Sequence, residues 1–214
     1  MDTTVKRENI ILCHNDIDDD LLKKYKNSSY LAIDTEAMGL VHGRDRICLI
    51  QLCNENNLIS CIKIEQGNFH SKNIKNLLED NKLMKIFHYA RFDIAALKCN
   101  LNIETSNIFC TKIASKLART YTNKHGLKDL IKELLGIELD KSSQSSDWGS
   151  NENLSSEQIE YAANDVRYLI TAMQKLTEIL KRENRYEIAK DCFNAIKIHS
   201  ELDINHFSNI FEHY

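Results

Sequence analysis

Apolar and polar positions alternate in short blocks through the first half of the chain, then settle into a helical period in the second. Tyr30-Leu31-Ala32-Ile33 is an apolar run ending at Asp34, and Ile47 to Cys53 and Leu58 to Ile64 are two more. The turn-rich Asn54-Glu55-Asn56-Asn57 separates the last two, so all three are expected to be strands of an antiparallel meander. Ile74, Leu77 and Leu78 have the spacing of a short amphipathic helix. Lys85 to His88 reads as a strand, followed by a helix through Phe92, Ile94, Ala95 and Leu97, and Asn107 to Cys110 as a further strand. Helices are predicted over Ile113 to Tyr121 and Leu127 to Leu135, with Gly126 between them and Gly136 as a C-cap. After a polar, Ser-rich loop from Asp140 to Asn153, one long helix is expected from Ser155, where Ser155 and Gln158 form a capping box. Its apolar stripe runs through Ile159, Ala162, Ala163, Val166, Leu169, Ile170, Met173 and Leu176. Another helix follows around Tyr186 to Ile198. The pattern predicts an α/β fold: a mixed sheet flanked by helices, with a helical C-terminal region.

The length, 214 residues, suits one domain with a sizeable core, placed at about residues 28–181 with a helical extension over 182–214. No apolar run approaches the roughly 18 residues a membrane span needs. The first residues, MDTTVKRENI, lead into no signal-like run, so a cytoplasmic protein without membrane partners is expected. The seven cysteines are odd in number and form no C-x-x-C pair, which argues against zinc; Cys48, Cys53, Cys61 and Cys110 fall in apolar runs and read as buried small hydrophobes. A net charge of −3 is unlike a protein that coats long nucleic acid. One stretch differs: Lys112, Lys116, Arg119, Lys124, Lys128 and Lys132 face only Asp129. By itself such a stretch reads as a solvated helix surface.

Three short segments carry chemistry. Asp34 and Glu36 alternate along a strand end and so point the same way, an arrangement that repels unless a cation lies between them. Asp93 lies just after a strand-to-helix junction, where functional groups gather in α/β folds but where an acid also simply complements the helix dipole. Tyr161 and Asp165 are one helical turn apart and flank the apolar stripe. Each has a plain structural explanation alone. Together they are four carboxylates and a phenol, a set that balances two Mg²⁺ or Mn²⁺ ions and suits in-line phosphodiester hydrolysis.

The segments Ile33-Asp34-Thr35-Glu36, His88 to Asp93 and Tyr161 to Asp165 resemble the three motifs of the DEDD exonuclease superfamily in its tyrosine-containing branch. The likeness to the ribonuclease D group spans Tyr30 to Leu180, including Ile47 to Leu52, His125-Gly126-Leu127-Lys128, Leu139-Asp140-Lys141 and Ser146-Asp147-Trp148. Thr111 to Leu117, Arg119-Thr120-Tyr121, Gln144 to Trp148 and the tail residues Ala189, Cys192-Phe193, Leu202-Asp203 and Ile210-Phe211 are similar to the short nanoRNase C family, which hydrolyses dinucleotides. The resemblance implies a ribonuclease H-like, DnaQ-like fold and 3′→5′ exoribonuclease activity with two divalent cations. It implies Asp34 bridging both ions, Glu36 and Asp165 on the nucleophile side, Asp93 supporting the other ion through water, and Tyr161 orienting the attacking water. It further implies a homo-oligomer, an octamer built from dimers. Thr35, Leu40, His88, Lys116, Arg119, Gln144 and Trp148 are the expected substrate contacts, with Leu40 as a wedge between bases and the basic stretch from Lys112 to Lys132, Lys116 and Arg119 within it, as the candidate 5′-phosphate side of the pocket. Only about 33 residues follow Lys181, too few for the helical HRDC-type domain of ribonuclease D itself. That shortness and the acidic balance favour very short RNA. General 3′ trimming of longer RNA or DNA, and a non-catalytic RNA-binding module, are the alternatives.

Overall fold

The computed structural model describes residues 10–140, 146–150 and 153–211. Strands β1 (Ile10–His14), β2 (Tyr30–Ala37), β3 (Ile47–Asn54), β4 (Ile59–Lys63), β5 (Met84–Phe87) and β6 (Ile108–Cys110) form one sheet in the order β1-β4-β3-β2-β5-β6. β2, β3 and β4 are the predicted antiparallel meander, with Asp34 opposite Gln51 and Gln51 opposite Cys61. The β1–β4, β2–β5 and β5–β6 pairs are parallel, so the sheet is mixed. Every residue of β3 is buried, as expected for a central strand covered on both faces.

The helices are α1 (Asp19–Lys26), α2 (Lys72–Leu78), α3 (Ala90–Leu101), α4 (Thr111–Ala118), α5 (Leu127–Leu135), α6 (Ser156–Arg167), α7 (Leu169–Arg182) and α8 (Tyr186–Ile204). Gly136 ends α5 in the left-handed region at φ 72°, as predicted for a C-cap. Ser155 caps α6 through the predicted box: its Oγ accepts from the Gln158 amide at 3.2 Å, and Gln158 Oε1 accepts from the Ser155 amide at 2.8 Å. The helix expected to run unbroken from there divides at Tyr168. The first half packs on β2, β3 and β4 and the second chiefly on α4 and α5, so the break falls where the partners change.

One expectation about extent is corrected. The core does not start near residue 28, because β1 and α1 precede it: β1 adds a sheet edge, and Leu21 and Tyr25 of α1 are buried. The C-terminal region is helical as expected. α8 packs on α3, α4 and β6, with the Phe193 ring 4.6 Å from Phe109, Ser200 Oγ donating to the Arg91 carbonyl at 3.0 Å, and Arg91 paired with Asp203. Cys48, Cys53, Cys61 and Cys110 are buried free thiols, and burial pushes Cys53 and Cys61 up to about 12. No helix among the described residues is long and apolar enough to cross a membrane.

Candidate active site

β2 pairs with β5 only over Tyr30 to Ala32. From Ile33 onward its β5-side edge is open, and the chain leaving β5 turns across it through His88 and Tyr89 into α3. A register irregularity between Glu36 and Ala37 then ends the regular ladder. The carboxylates of Asp34 and Glu36 leave β2 on the face covered by α6, where one ligand oxygen each from Asp34, Glu36 and Asp165 lie within 4.8 Å of one another. Thr35 points to the opposite face and donates its hydroxyl to Asp93 Oδ1 at 2.8 Å, which fixes α3 against the strand end. Three carboxylates of the sequence pattern thus meet directly, and Asp93 on α3 lies near enough to raise Asp34 and Glu36 by repulsion.

The cluster is short of positive charge. Neither Asp34 nor Glu36 makes an ion pair among the described residues. Burial, followed by repulsion from Asp93, Asp165 and Glu36, pushes the Asp34 carboxyl well above the usual carboxylate range. Burial and then Asp165 and Asp93 raise Glu36 to about 8, and burial raises Asp93 to about 7 against the lowering pull of the Thr35 hydroxyl. Tyr161 is raised from its ordinary value by burial and by Asp165, which accepts a hydrogen bond from it, so the phenol keeps its proton at neutral pH. Oxygen donors that cannot all ionise together unless a cation joins them fit Mg²⁺ or a similar hard ion.

Asp34, Glu36 and Asp165 line a cleft of about 310 Å³ with His88, Lys112, Gly126, Leu127, Lys128, Leu139, Asp140 and Tyr161. Its far wall is set by a helix N-terminus and by Lys112, which a neighbouring ring holds. Gly126 is the N-cap of α5 without a side-chain cap, which leaves first-turn amides facing outward beside Lys128. Tyr89 takes the left-handed conformation, φ 79° and ψ 44°, an unfavourable one for an aromatic residue, and its ring carries the Lys112 ammonium 4.2 Å from its centroid. His88 sits between the walls. Thr111 Oγ1 donates to the Phe87 carbonyl at 3.0 Å, so it accepts from His88 Nδ1–H at 3.0 Å. His88 Nε2 is buried with no well-formed hydrogen bond among the described residues, and the His125 backbone lies close enough to the ring to act on it. Burial and Lys112 lower its pKa to about 3, so the ring is neutral.

The family model for the 3′-5′ exonuclease matches residues 10–181. The chain belongs to the 3′-5′ exonuclease family. Within it, the structure of Brucella melitensis NrnC bound to pGG is 42% identical with a TM-score of 0.90, covering 96% of this chain and 99% of that one. The same protein with bound Mg²⁺ is 41% identical with a TM-score of 0.90, covering 96% and 100%. Ribonuclease D of Gluconacetobacter diazotrophicus is 30% identical over 172 residues, 80% of this chain and 43% of that protein. DNA polymerase I of Aquifex aeolicus is 34% identical over 174 residues, 79% of this chain and 28% of that protein. The chain therefore spans less than half the length of these two curated relatives.

The structure places the remaining candidates of this exonuclease-family chain differently. Arg119 is fully buried and unavailable to a phosphate: it pairs with Glu133, with Nε to Oε1 at 2.9 Å, and its Nη1 donates to Ser115 Oγ and the Lys124 carbonyl, each at 2.9 Å. Lys116 is exposed and outside the cleft, where Lys112 and Lys128 stand instead. The Thr35 hydroxyl is engaged by Asp93. Trp148 is buried in the core, 6.1 Å from the Tyr161 ring, so it anchors its loop and backs the phenol. Leu40 is 80% exposed and lines a neighbouring recess with Val41, His42, Tyr89 and Phe92. Gln144 lies outside the described residues. Of the basic stretch expected on the 5′-phosphate side, Lys112 and Lys128 line the cleft, whereas Lys116 and Arg119 do not; the Gly126 N-cap beside Lys128 is a signal that separates them.

Proposed function

We propose that the protein is a 3′→5′ exoribonuclease that hydrolyses very short RNA, dinucleotides above all, to nucleoside 5′-monophosphates with two divalent cations. The observation that carries this reading is the convergence of Asp34, Glu36 and Asp165 in one cleft, opposite a wall of two lysines and a helix N-terminus. Asp34, Glu36 and Asp165 would hold the nucleophile-side cation, and Asp34 with Asp93 the other. When bound, the cations offset the carboxylate charge, acidify the attacking water and stabilise the leaving oxygen. Tyr161, which keeps its proton, orients the water and does not abstract from it. Water adds to phosphorus, the 3′-oxygen leaves with a proton, and a 5′-monophosphate is released. Lys112, Lys128 and the α5 amides suit the 5′-phosphate of a short substrate. His88, a neutral ring lining the cleft, suits a ribose hydroxyl. The structure of the Brucella melitensis relative bound to pGG supports the choice of a dinucleotide.

Self-association belongs to the same reading. Ile198, Phe207, Ile210 and Phe211 are exposed around the C-terminal part of α8, a concentration of apolar side chains that suits a contact between copies of the chain. Trimming of DNA is the second reading, favoured by the match to DNA polymerase I. A time course on 5′-labelled RNAs of two, three, five and twenty nucleotides, with Mg²⁺ or Mn²⁺ and beside the deoxy counterparts, tests the proposal. Fast cleavage of the ribodinucleotide and slow attack on the longest RNA are expected. Equal trimming at every length would refute the dinucleotide preference, and no metal-dependent cleavage would refute the enzyme.

A further inference from the structure

Gln51 lies in the middle of β3 and is fully buried, yet among the described residues neither its amide nitrogen nor its amide oxygen has a hydrogen-bond partner. A buried amide left without partners costs free energy, so an apolar side chain of that size would stabilise the position. Its place in the sheet is specific. Gln51 is directly opposite Asp34 on β2 and Cys61 on β4, and directly opposed residues project from the same face. That face is the one covered by α6, since Asp34 meets Asp165 there. A second unpartnered group lies over the same row. The Arg167 Nη1 donates to Glu160 at 2.7 Å and Asn164 at 2.8 Å, but its Nε is buried without an acceptor. Arg167 lowers the thiol pKa of both Cys53 and Cys61, opposing their burial, which locates its charge above the strands around Gln51.

We propose that Gln51 is a positioning residue for Asp34: its amide N–H is directed to the Asp34 carboxylate and its carbonyl oxygen accepts from Arg167 Nε in the cation-loaded protein. The inference rests on the two-cation reading above. A carboxylate that holds cations keeps inward lone pairs to satisfy, and groups behind a ligand set its orientation. A neutral amide does this without changing the charge of the site, and its second atom ties the contact to α6, the helix that carries Tyr161 and Asp165.

The test compares wild type with Gln51→Leu and Gln51→Met, both lacking donor and acceptor, and with Leu52→Ala, which removes a buried side chain from the opposite face of the same strand. Mn²⁺ affinity is read by calorimetry, thermal stability in EDTA, and kcat and KM on a dinucleotide. The Gln51 variants are expected to be at least as stable as wild type in EDTA, to bind Mn²⁺ about tenfold more weakly, and to lose kcat with KM nearly unchanged. Leu52→Ala should lose stability and keep its Mn²⁺ affinity. Wild-type Mn²⁺ affinity and kcat in both Gln51 variants would overturn the proposal, as would failure of both to fold. Wild-type protein that neither binds Mn²⁺ nor cleaves would overturn the proposed function itself, a result distinct from unaffected variants in an active enzyme.

Discussion

The carboxylate cleft and the surroundings of Arg119 both withdraw charge from water, and they do so in opposite ways. Arg119 is buried with its guanidinium matched by Glu133, Ser115 and a carbonyl, and Tyr121 closes the group by donating to Glu133 at 2.5 Å. The pair shifts Glu133 down to about 2, chiefly through the Arg119 hydrogen bond. The cleft brings Asp34, Glu36 and Asp165 together with Asp93 close by, and among the described residues neither Asp34 nor Glu36 has an ion pair, so Glu36 and Asp93 rise to about 8 and about 7. A buried charge with all its partners stabilises the fold around it. A buried group of like charges destabilises the fold until something else arrives, which makes it the better marker of a site.

That contrast can be broken most sharply at Asp34. Asp34→Asn is expected to lower dinucleotide cleavage on the order of 10³-fold or more while leaving the metal-free protein at least as stable as wild type; single-turnover kinetics and thermal melts in EDTA read both. Arg119→Ala should do the reverse, costing roughly 2–3 kcal/mol of stability by denaturant unfolding, with kcat preserved in the folded fraction. Next comes pH. Because the folded pKa values of Glu36 and Asp93 lie above their ordinary values of 4.5 and 3.8, folding takes up protons between those values and about 8 and about 7. The contribution of these two groups to metal-free stability is therefore fully present below about pH 4 and is lost as pH rises toward 8. Glu36→Gln should flatten that slope; an unchanged slope would mean that the cleft is not the source. The smallest effect is at Ser155, where removal of the cap by Ser155→Ala should cost about 1 kcal/mol and leave Mn²⁺ affinity unchanged.

Much of this contrast was legible in the chain before folding, because it rests on local periodicity. The alternation at Asp34 and Glu36, the one-turn spacing of Tyr161 and Asp165, the meander and the caps at Gly136 and Ser155 are short-range signals, and the structure reproduces their geometry. What escaped depends on distant partners. β1 and α1 become part of the core only through pairing with β4 and packing against α2. Arg119 reads like its neighbouring lysines until Glu133 folds back on it, and the Thr35 hydroxyl shows no partner until α3 delivers Asp93. The break at Tyr168 follows from which elements lie beneath each half of the helix, and no proline or glycine marks it.

The most direct measurement is the melting temperature of wild type and Asp34→Asn in EDTA and in saturating Mn²⁺ at pH 8. If the carboxylates are held together for cations, wild type should gain several degrees with Mn²⁺, whereas Asp34→Asn should start higher and gain little. Equal Mn²⁺ shifts in both proteins, or none in wild type, would contradict it.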